Sequence, residues 1–201
     1  SIATSITSIS SPGVYFGDVV LARELARRCN EISARLVIQY PQRFGAFAVL
    51  PLPDIEAALL ELEYALDTLH LDGVVLLTNI ANRYLGDPFF DTLFAELNRR
   101  KTVVFIHPTA PPNFDKLGLN LTPSLVEFTF DTTRAVTNLL YSGTLERNPN
   151  ISFILSHAGG TVPYLVWRIS MLQSLVPDKV PKGVITYLKR LYYDTALSAA
   201  P

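Results

Sequence analysis

Two of the three histidines in the chain follow apolar, strand-like segments. His107 comes at the end of the apolar run in TVVFIHP, and His157 follows the apolar run in SFILSHAGG. An imidazole can bind a divalent metal through a neutral nitrogen or transfer a proton near neutral pH. Each histidine alone would equally suit a hydrogen-bonded residue at the rim of a core. At the ends of consecutive strands of one sheet, however, the two side chains can converge, so we predict a shared site.

The residues after His157 suit ligand binding. Gly159 and Gly160 allow the backbone to approach a ligand closely, and free N–H groups at the start of the following helix suit an anion. The alternative is a plain turn between a strand and a helix, with glycine as a hinge. The third histidine, His70, lies where a helix is predicted to end. We expect it at the surface, without a functional role.

Two charged residues complete the candidate site. Arg168 lies about three helical turns beyond His157, and its guanidinium is suited to holding a carboxylate through two hydrogen bonds. A solvated helix charge is the alternative interpretation. Asp194 ends the last predicted strand, in YYDTA. There its carboxylate could bind a metal, orient a histidine or cap the segment that follows.

Several function classes are excluded or disfavoured. The sequence has no Gly-x-Ser-x-Gly turn and no Gly-x-x-x-x-Gly-Lys-Ser/Thr loop. Its one cysteine forms no intrachain disulfide, which fits a reducing compartment, and we expect a cytoplasmic protein. The net charge of −1 argues against a nucleic-acid partner. Charges interrupt every apolar run that would otherwise span a membrane, and the first ten residues suggest a strand rather than a signal peptide.

Strand and helix patterns alternate along the chain. Strands are predicted over residues 2–9, 44–52, 73–78, 102–107, 151–157 and 191–196. Helices are predicted to start at Asp18, Asp54, Asp87-Pro88, Thr122-Pro123, about Val162 and Pro181. In the first helix, the buried stripe is expected to contain Leu21, Leu25, Cys29, Ile32 and Leu36.

This alternation predicts an α/β fold with a parallel sheet. No Gly-x-Gly-x-x-Gly follows the first strand, which disfavours a dinucleotide-binding sheet. We therefore predict a (β/α)₈ barrel in a single domain over residues 1–201. About six of the eight strands are present, so we expect the barrel to lack its first and last strands.

The sequence resembles the amidohydrolase-related metal-dependent decarboxylases. The strings that carry the resemblance are VVFIHPT, LERNPNISFILSHAGGTVPYLVWRI, LYYDTALS, SITSISSPGVYFGD, RFGAFAVLPLPD and FDTTRAVTNLLYSG. They cover nearly the whole chain. The family includes aminocarboxymuconate-semialdehyde, γ-resorcylate and 6-methylsalicylate decarboxylases, and the last two groups look most similar. Two family features are absent here: a His-x-His or Glu-x-His pair on the first strand and a GSDWP-like string after the last.

The resemblance implies a role for each candidate residue. His107 matches a ligand of a divalent metal, zinc or alternatively manganese, and His157 matches a general acid/base. Arg168 matches an arginine that binds substrate carboxylate, in some members across a dimer interface. Asp194 matches a strand-end motif, and we expect it near the substrate. The implied protein is a homodimer or a higher homo-oligomer.

The expected reaction is non-oxidative decarboxylation of an ortho-hydroxy aromatic acid or a related unsaturated acid. Metal-dependent hydrolysis of an amide or lactone on the same barrel is the first alternative. The second alternative is a catalytically inactive chain, since most of the family's usual metal ligands are absent from this sequence.

Overall fold

The computed structural model describes residues 2–117 and 120–196, and its centre is a parallel sheet of six strands. The strands of this sheet are Ser5–Thr7 (β1), Phe44–Val49 (β2), Gly73–Leu77 (β3), Val103–His107 (β6), Ser152–Leu155 (β7) and Tyr192–Tyr193 (β8). Their order in the sheet follows their order in the chain, and every neighbouring pair is parallel. This is the arrangement of an open, incomplete (β/α)₈ barrel, which confirms the predicted fold class.

Helices connect successive strands of the sheet. They are Val19–Gln39 (α1), Ile55–Glu63 (α2), Asp91–Arg100 (α3), Glu127–Tyr141 (α4), Thr144–Arg147 (α5), Val162–Ser170 (α6) and Val184–Leu188 (α7). The predicted caps at Asp18 and Asp54 are confirmed, because each carboxylate accepts hydrogen bonds from backbone N–H groups in the first turn. Asp87 likewise caps a short 3₁₀ turn that leads into α3.

Several element boundaries differ from the sequence prediction. The strands are shorter than predicted, and α4 begins at Glu127 rather than at Thr122-Pro123. The last predicted helix is reduced to the five residues of α7. A two-stranded antiparallel hairpin, Asn79–Ile80 (β4) with Arg83–Tyr84 (β5), follows β3 and was not predicted. Its reversal is built from non-glycine residues with positive φ at Ala81 and Asn82, a conformation that such residues rarely adopt.

The buried stripe of α1 is also different from the predicted one. Its buried residues are Ala22, Ala26, Asn30 and Ala34, whereas Leu21 and Ile32 of the predicted stripe are exposed. Small side chains allow the helix to lie close to β2. Asn30 then bonds to both backbone groups of Val49, donating to its oxygen and accepting from its nitrogen at 2.9 Å each. Cys29 is only partly buried.

Alternate residues of β2, β3 and β6 face two separate apolar clusters. Ala46 and Ala48 of β2 belong to the larger cluster, which the helices cover, while Phe47 and Val49 belong to the smaller one. Phe105 of β6 joins the smaller cluster and stacks on Phe47 with ring centroids 5.9 Å apart. This alternation directs the residue two positions after Phe105 toward the same face of the sheet.

No helix within residues 2–117 and 120–196 combines the length and apolar character that a membrane crossing requires.

Candidate functional site

The two candidate histidines meet at the carboxyl end of the sheet. The ring centroids of His107 and His157 are 5.6 Å apart, and the ring planes are inclined by 66°. Their strands, β6 and β7, pair directly, with Ile106 opposite Leu155. The parallel register therefore brings the ends of both strands to one edge, and the structure places the two imidazoles at one site as the sequence predicts.

One nitrogen of the His107 ring is hydrogen-bonded to the backbone. Its Nδ1 lies 2.8 Å from the carbonyl oxygen of Pro108. A carbonyl oxygen only accepts, so Nδ1 carries the proton in this hydrogen bond. In the neutral ring, Nε2 therefore keeps its lone pair, which is the form that binds a metal.

The surroundings of His107 favour this neutral form. Burial lowers the pKa of the His107 imidazole, and the adjacent His157 lowers it further. The Pro108 carbonyl and Asp194 act in the opposite direction without reversing the shift. Phe128 of α4 contacts the ring edge-on, with centroids 6.0 Å apart. His107 thus remains neutral to a lower pH than an ordinary histidine.

His157 lies beyond its strand rather than at its end. β7 stops at Leu155, and His157 begins a short turn with φ at 52°. Its Nδ1 lies 3.3 Å from the carbonyl oxygen of Ala196, which assigns the proton to Nδ1. Its Nε2 is buried and has no hydrogen-bond partner among the residues described. A buried, unpaired ring nitrogen beside a second imidazole is what a ligand or substrate site presents.

Asp194 holds the backbone on both sides of the His157 ring. Its Oδ1 accepts hydrogen bonds from the N–H of Ala158, at 3.0 Å, and from that of Ala196, at 3.2 Å. Ala158 follows His157 directly, and Ala196 supplies the carbonyl that accepts from the ring. These contacts match two of the roles open to Asp194, support of the segment beside the histidine and capping of the segment that follows. Contact with the substrate stays a prediction.

Gly159 and Gly160, which follow His157, lie in close contact with other parts of the protein. A Cβ on Gly159 would lie 2.6 Å from the ring of Tyr193, and one on Gly160 would overlap the carbonyl oxygen of Thr129 in α4. The N–H groups of residues 158–161 are all bonded to protein acceptors. This turn therefore offers no free N–H group at residues 158–161, and the expectation of free N–H groups at the start of the following helix, α6, stays a prediction.

Arg168 lies on the exposed side of α6. Within residues 2–117 and 120–196, its guanidinium has no hydrogen bond or ion pair. Tyr164 and Trp167 on the same helix are also largely exposed. The structure does not bring Arg168 into contact with the histidines, and its role with a carboxylate stays a prediction.

A buried polar network supports the segment after His107, and the sequence prediction missed it. Asp131 of α4 is fully buried and accepts hydrogen bonds from Thr78, from Asn79 at 2.9 Å and from Tyr84 at 2.6 Å. Burial and the adjacent Asp131 raise the pKa of the Tyr84 phenol, which therefore remains a donor. The signal available in the sequence was Asp131 itself, an acidic residue at a position where the helical pattern predicts an apolar one.

A cavity of about 180 Å³ opens beside the site along the carboxyl ends of β1, β2 and β3. Its walls are mainly apolar, with Tyr15, Asn79 and Thr109 as polar members. The apolar lining residues include Ile9, Val14, Val49, Leu52, Leu77, Ile80 and Ala110. Neither His107 nor His157 lines the cavity, which includes Thr109 and Ala110 of the segment after His107. A mainly apolar cavity with a few polar groups is typical of a small-molecule site.

The free Nε2 atoms of His107 and His157 are donors of the type that zinc and manganese accept. Across residues 2–117 and 120–196, no group of three or more His, Cys, Asp or Glu side chains is suitably arranged for a metal. Of the two rings, His107 is the one whose surroundings favour the neutral form.

The sequence profile of the amidohydrolase family matches residues 5–176 of the chain. The chain is a member of the amidohydrolase family. The described elements agree with this assignment, because a crystallised amidohydrolase II superposes on 98% of this amidohydrolase chain with a TM-score of 0.88 and 31% identity. The superposition covers 65% of that structure.

Two decarboxylases are also similar to this amidohydrolase. The 6-methylsalicylic acid decarboxylase of Penicillium expansum is 40% identical over 207 residues, covering 100% of this chain and 64% of that protein. A dihydroxybenzoic acid decarboxylase of Polaromonas sp. JS666, solved with manganese and the inhibitor 2-nitroresorcinol, has a TM-score of 0.81 and 26% identity. That match covers 96% of this chain and 62% of the structure. The chain thus spans less than two thirds of these relatives.

The turn at Gly160 provides a test of the local geometry. Gly160→Ala should destabilise the fold by about 3 kcal/mol or more, because positive φ and steric overlap with Thr129 act together. Gly17→Ala is the matched control, since Gly17 has φ at 92° and no atom within 4 Å of an added Cβ. It should cost about 1–2 kcal/mol, the strain of positive φ alone. Urea unfolding measures both; equal costs would contradict the packing of Gly160 on α4.

Proposed function

We propose that this amidohydrolase is the core of a metal-dependent, non-oxidative decarboxylase acting on ortho-hydroxy aromatic acids. The observation that carries the proposal is the pair of imidazoles 5.6 Å apart, each with Nδ1 bonded to a carbonyl and Nε2 free. The similarity to decarboxylases of methylsalicylic and dihydroxybenzoic acids supports the substrate class.

The reaction requires a proton to be delivered to carbon. Loss of CO₂ directly from the ring would leave an electron pair on a carbon that cannot stabilise it. Protonating the ring carbon that bears the carboxylate first allows the electrons of the breaking C–C bond to return to the ring. The products are then CO₂ and an arene with hydrogen in place of the carboxylate, with no oxidation or reduction.

His157 is the proposed proton donor. With Nδ1–H held by the Ala196 carbonyl, the second ring nitrogen, buried and without a partner among the described residues, is the one available to transfer a proton. A protonated Nε2 gives its proton to the ring carbon and leaves a neutral imidazole that keeps the same Nδ1 hydrogen bond. The backbone contacts of Asp194 preserve this orientation through the transfer.

His107 is the proposed metal ligand, through its free Nε2. A divalent cation, zinc or manganese, would supply positive charge that stabilises the developing phenolate oxygen of the substrate. The manganese in the Polaromonas relative supports a divalent cation. The cavity at the carboxyl ends of β1, β2 and β3 would take the aromatic ring. Arg168 stays the proposed contact for the substrate carboxylate, and Asp194 stays a proposed substrate-binding residue.

Two alanine variants separate the proposed roles. His107→Ala should abolish metal binding, measured by elemental mass spectrometry, and also CO₂ release from a salicylate. His157→Ala should keep the metal but reduce turnover by about 10²-fold or more, since general acid catalysis contributes at least that much. His70→Ala is the matched control and should change neither quantity, because His70 is exposed and lies on another part of the chain.

Three outcomes would contradict the proposal. Loss of metal in His157→Ala would make His157 a ligand rather than the acid. Hydrolysis of an amide or lactone without CO₂ release would favour the alternative chemistry on this barrel. A wild-type protein that binds no metal would favour a catalytically inactive chain.

We also propose that the protein is a cytoplasmic homodimer or higher homo-oligomer, with the exposed side of α6 at the contact. Tyr164, Trp167 and Met171 are 89%, 75% and 74% exposed and surround Arg168 along this helix. Large aromatic and Met side chains next to an arginine are the composition that protein interfaces favour. The single cysteine supports a reducing compartment.

Replacing Trp167 tests whether the exposed side of α6 forms the contact between subunits. Light scattering after gel filtration should give a dimer or larger species for the wild type and a monomer for Trp167→Ser. Ile38→Ser is the control, because Ile38 is also largely exposed but lies on α1. Wild-type protein that is monomeric at micromolar concentration, or dissociation by the control variant alone, would refute this contact.

A further inference from the structure

We propose that Asp131 is a positioning residue that sets the direction of the His107 imidazole through Thr78 and Asn79. The inference rests on the proposed role of His107 as the metal ligand. Asp131 belongs to α4, and its carboxylate reaches the end of the neighbouring strand β3 rather than the site itself. Its influence on the site therefore passes through other residues.

The direction of each hydrogen bond in the network is fixed by chemistry. The Asp131 carboxylate can only accept, so the Thr78 hydroxyl donates its single proton to it. The Thr78 oxygen is left as an acceptor, and it accepts from the N–H of Thr109 at 3.1 Å. Asn79 gives one amide proton to Asp131 and the other to the carbonyl of Ala110, at 3.1 Å.

Three backbone groups of the segment after β6 are thereby held. The N–H of Thr109 and the carbonyl of Ala110 bond to the two side chains, and the carbonyl of His107 accepts from the N–H of Thr78 at 3.0 Å. Between these fixed points lies Pro108, whose carbonyl accepts from the Nδ1 of His107. The network thus fixes the carbonyl that selects the tautomer of His107 and leaves Nε2 free.

The two oxygens of Asp131 have separate partners, which allows a matched pair of variants. Oδ2 accepts hydrogen bonds from Thr78 and Asn79, whose side chains also bond to the backbone of Thr109 and Ala110 in the segment after His107. Oδ1 accepts from Tyr84 and lies 3.8 Å from Arg134, and neither group bonds to that segment. Thr78→Val and Tyr84→Phe each remove one hydroxyl from the same carboxylate, but only Thr78→Val releases the N–H of Thr109.

The first measurement is the affinity of the protein for Zn²⁺, by competition with a chelator. Thr78→Val should weaken it by about 10- to 100-fold, the usual effect of removing a partner that orients a metal-bound histidine. Tyr84→Phe should change it by less than about threefold. Asp131→Leu, which removes the acceptor of both Thr78 and Asn79, should weaken the affinity as Thr78→Val does.

The second measurement reads the His107 ring without metal. Nitrogen-15 NMR of the three histidine side chains at about pH 8, above the ordinary histidine pKa, reports which ring nitrogen carries the proton. The His107 signal is assigned by its loss in His107→Ala. We expect a single Nδ1–H tautomer in the wild type and Tyr84→Phe, and a mixture of both tautomers in Thr78→Val and Asp131→Leu.

Equal effects of Thr78→Val and Tyr84→Phe on affinity and tautomer would overturn the inference, as would no effect of Thr78→Val or of Asp131→Leu. The proposed function fails separately. If the wild type releases no CO₂ from salicylates but Thr78→Val still alters the His107 tautomer, the positioning role holds and the decarboxylase proposal does not. If CO₂ release occurs and Thr78→Val leaves the tautomer and the affinity unchanged, only the positioning role fails.

Discussion

Each histidine of the site gives its Nδ1 proton to a backbone carbonyl, and the chemistry available to the site depends on that pairing. Pro108 supplies the acceptor for His107, and Ala196 supplies it for His157. In both rings the remaining nitrogen is directed away from these acceptors. A site with two free imidazole nitrogens can combine a metal ligand with a proton donor, whereas rings bonded at both nitrogens could do neither.

The parallel sheet brings the two rings together, and two aspartates hold the connecting segments. Asp194, after β8, holds the backbone beside His157, and Asp131, on α4, is the centre of the network after β3. Both carboxylates act on main-chain groups or on side chains that bond to the main chain. The rigidity of the site therefore comes from the loops after the strands, where the functional residues of barrel enzymes are usually found.

The sequence predicted the fold class and the meeting of the histidines, because periodicity and strand ends are local signals. It misplaced the buried stripe of α1, since large apolar residues dominate such patterns while the tight contact with β2 accepts only alanine and Asn30. It also extended β7 to His157, because positive φ at a histidine leaves no trace in the sequence. Asp131 was missed because its partners are distant in the chain and come together only in the folded protein.

The central claim is that His107, and not His157, bonds to a divalent metal through Nε2. Crystals of the zinc-loaded protein, measured at the zinc absorption edge, locate the ion directly. We predict an anomalous peak about 2.0–2.1 Å from Nε2 of His107, the usual zinc–nitrogen distance, with Nε2 of His157 in the same pocket but not bonded to the ion. A peak bonded to His157 alone, or the absence of any peak beside His107, would contradict it.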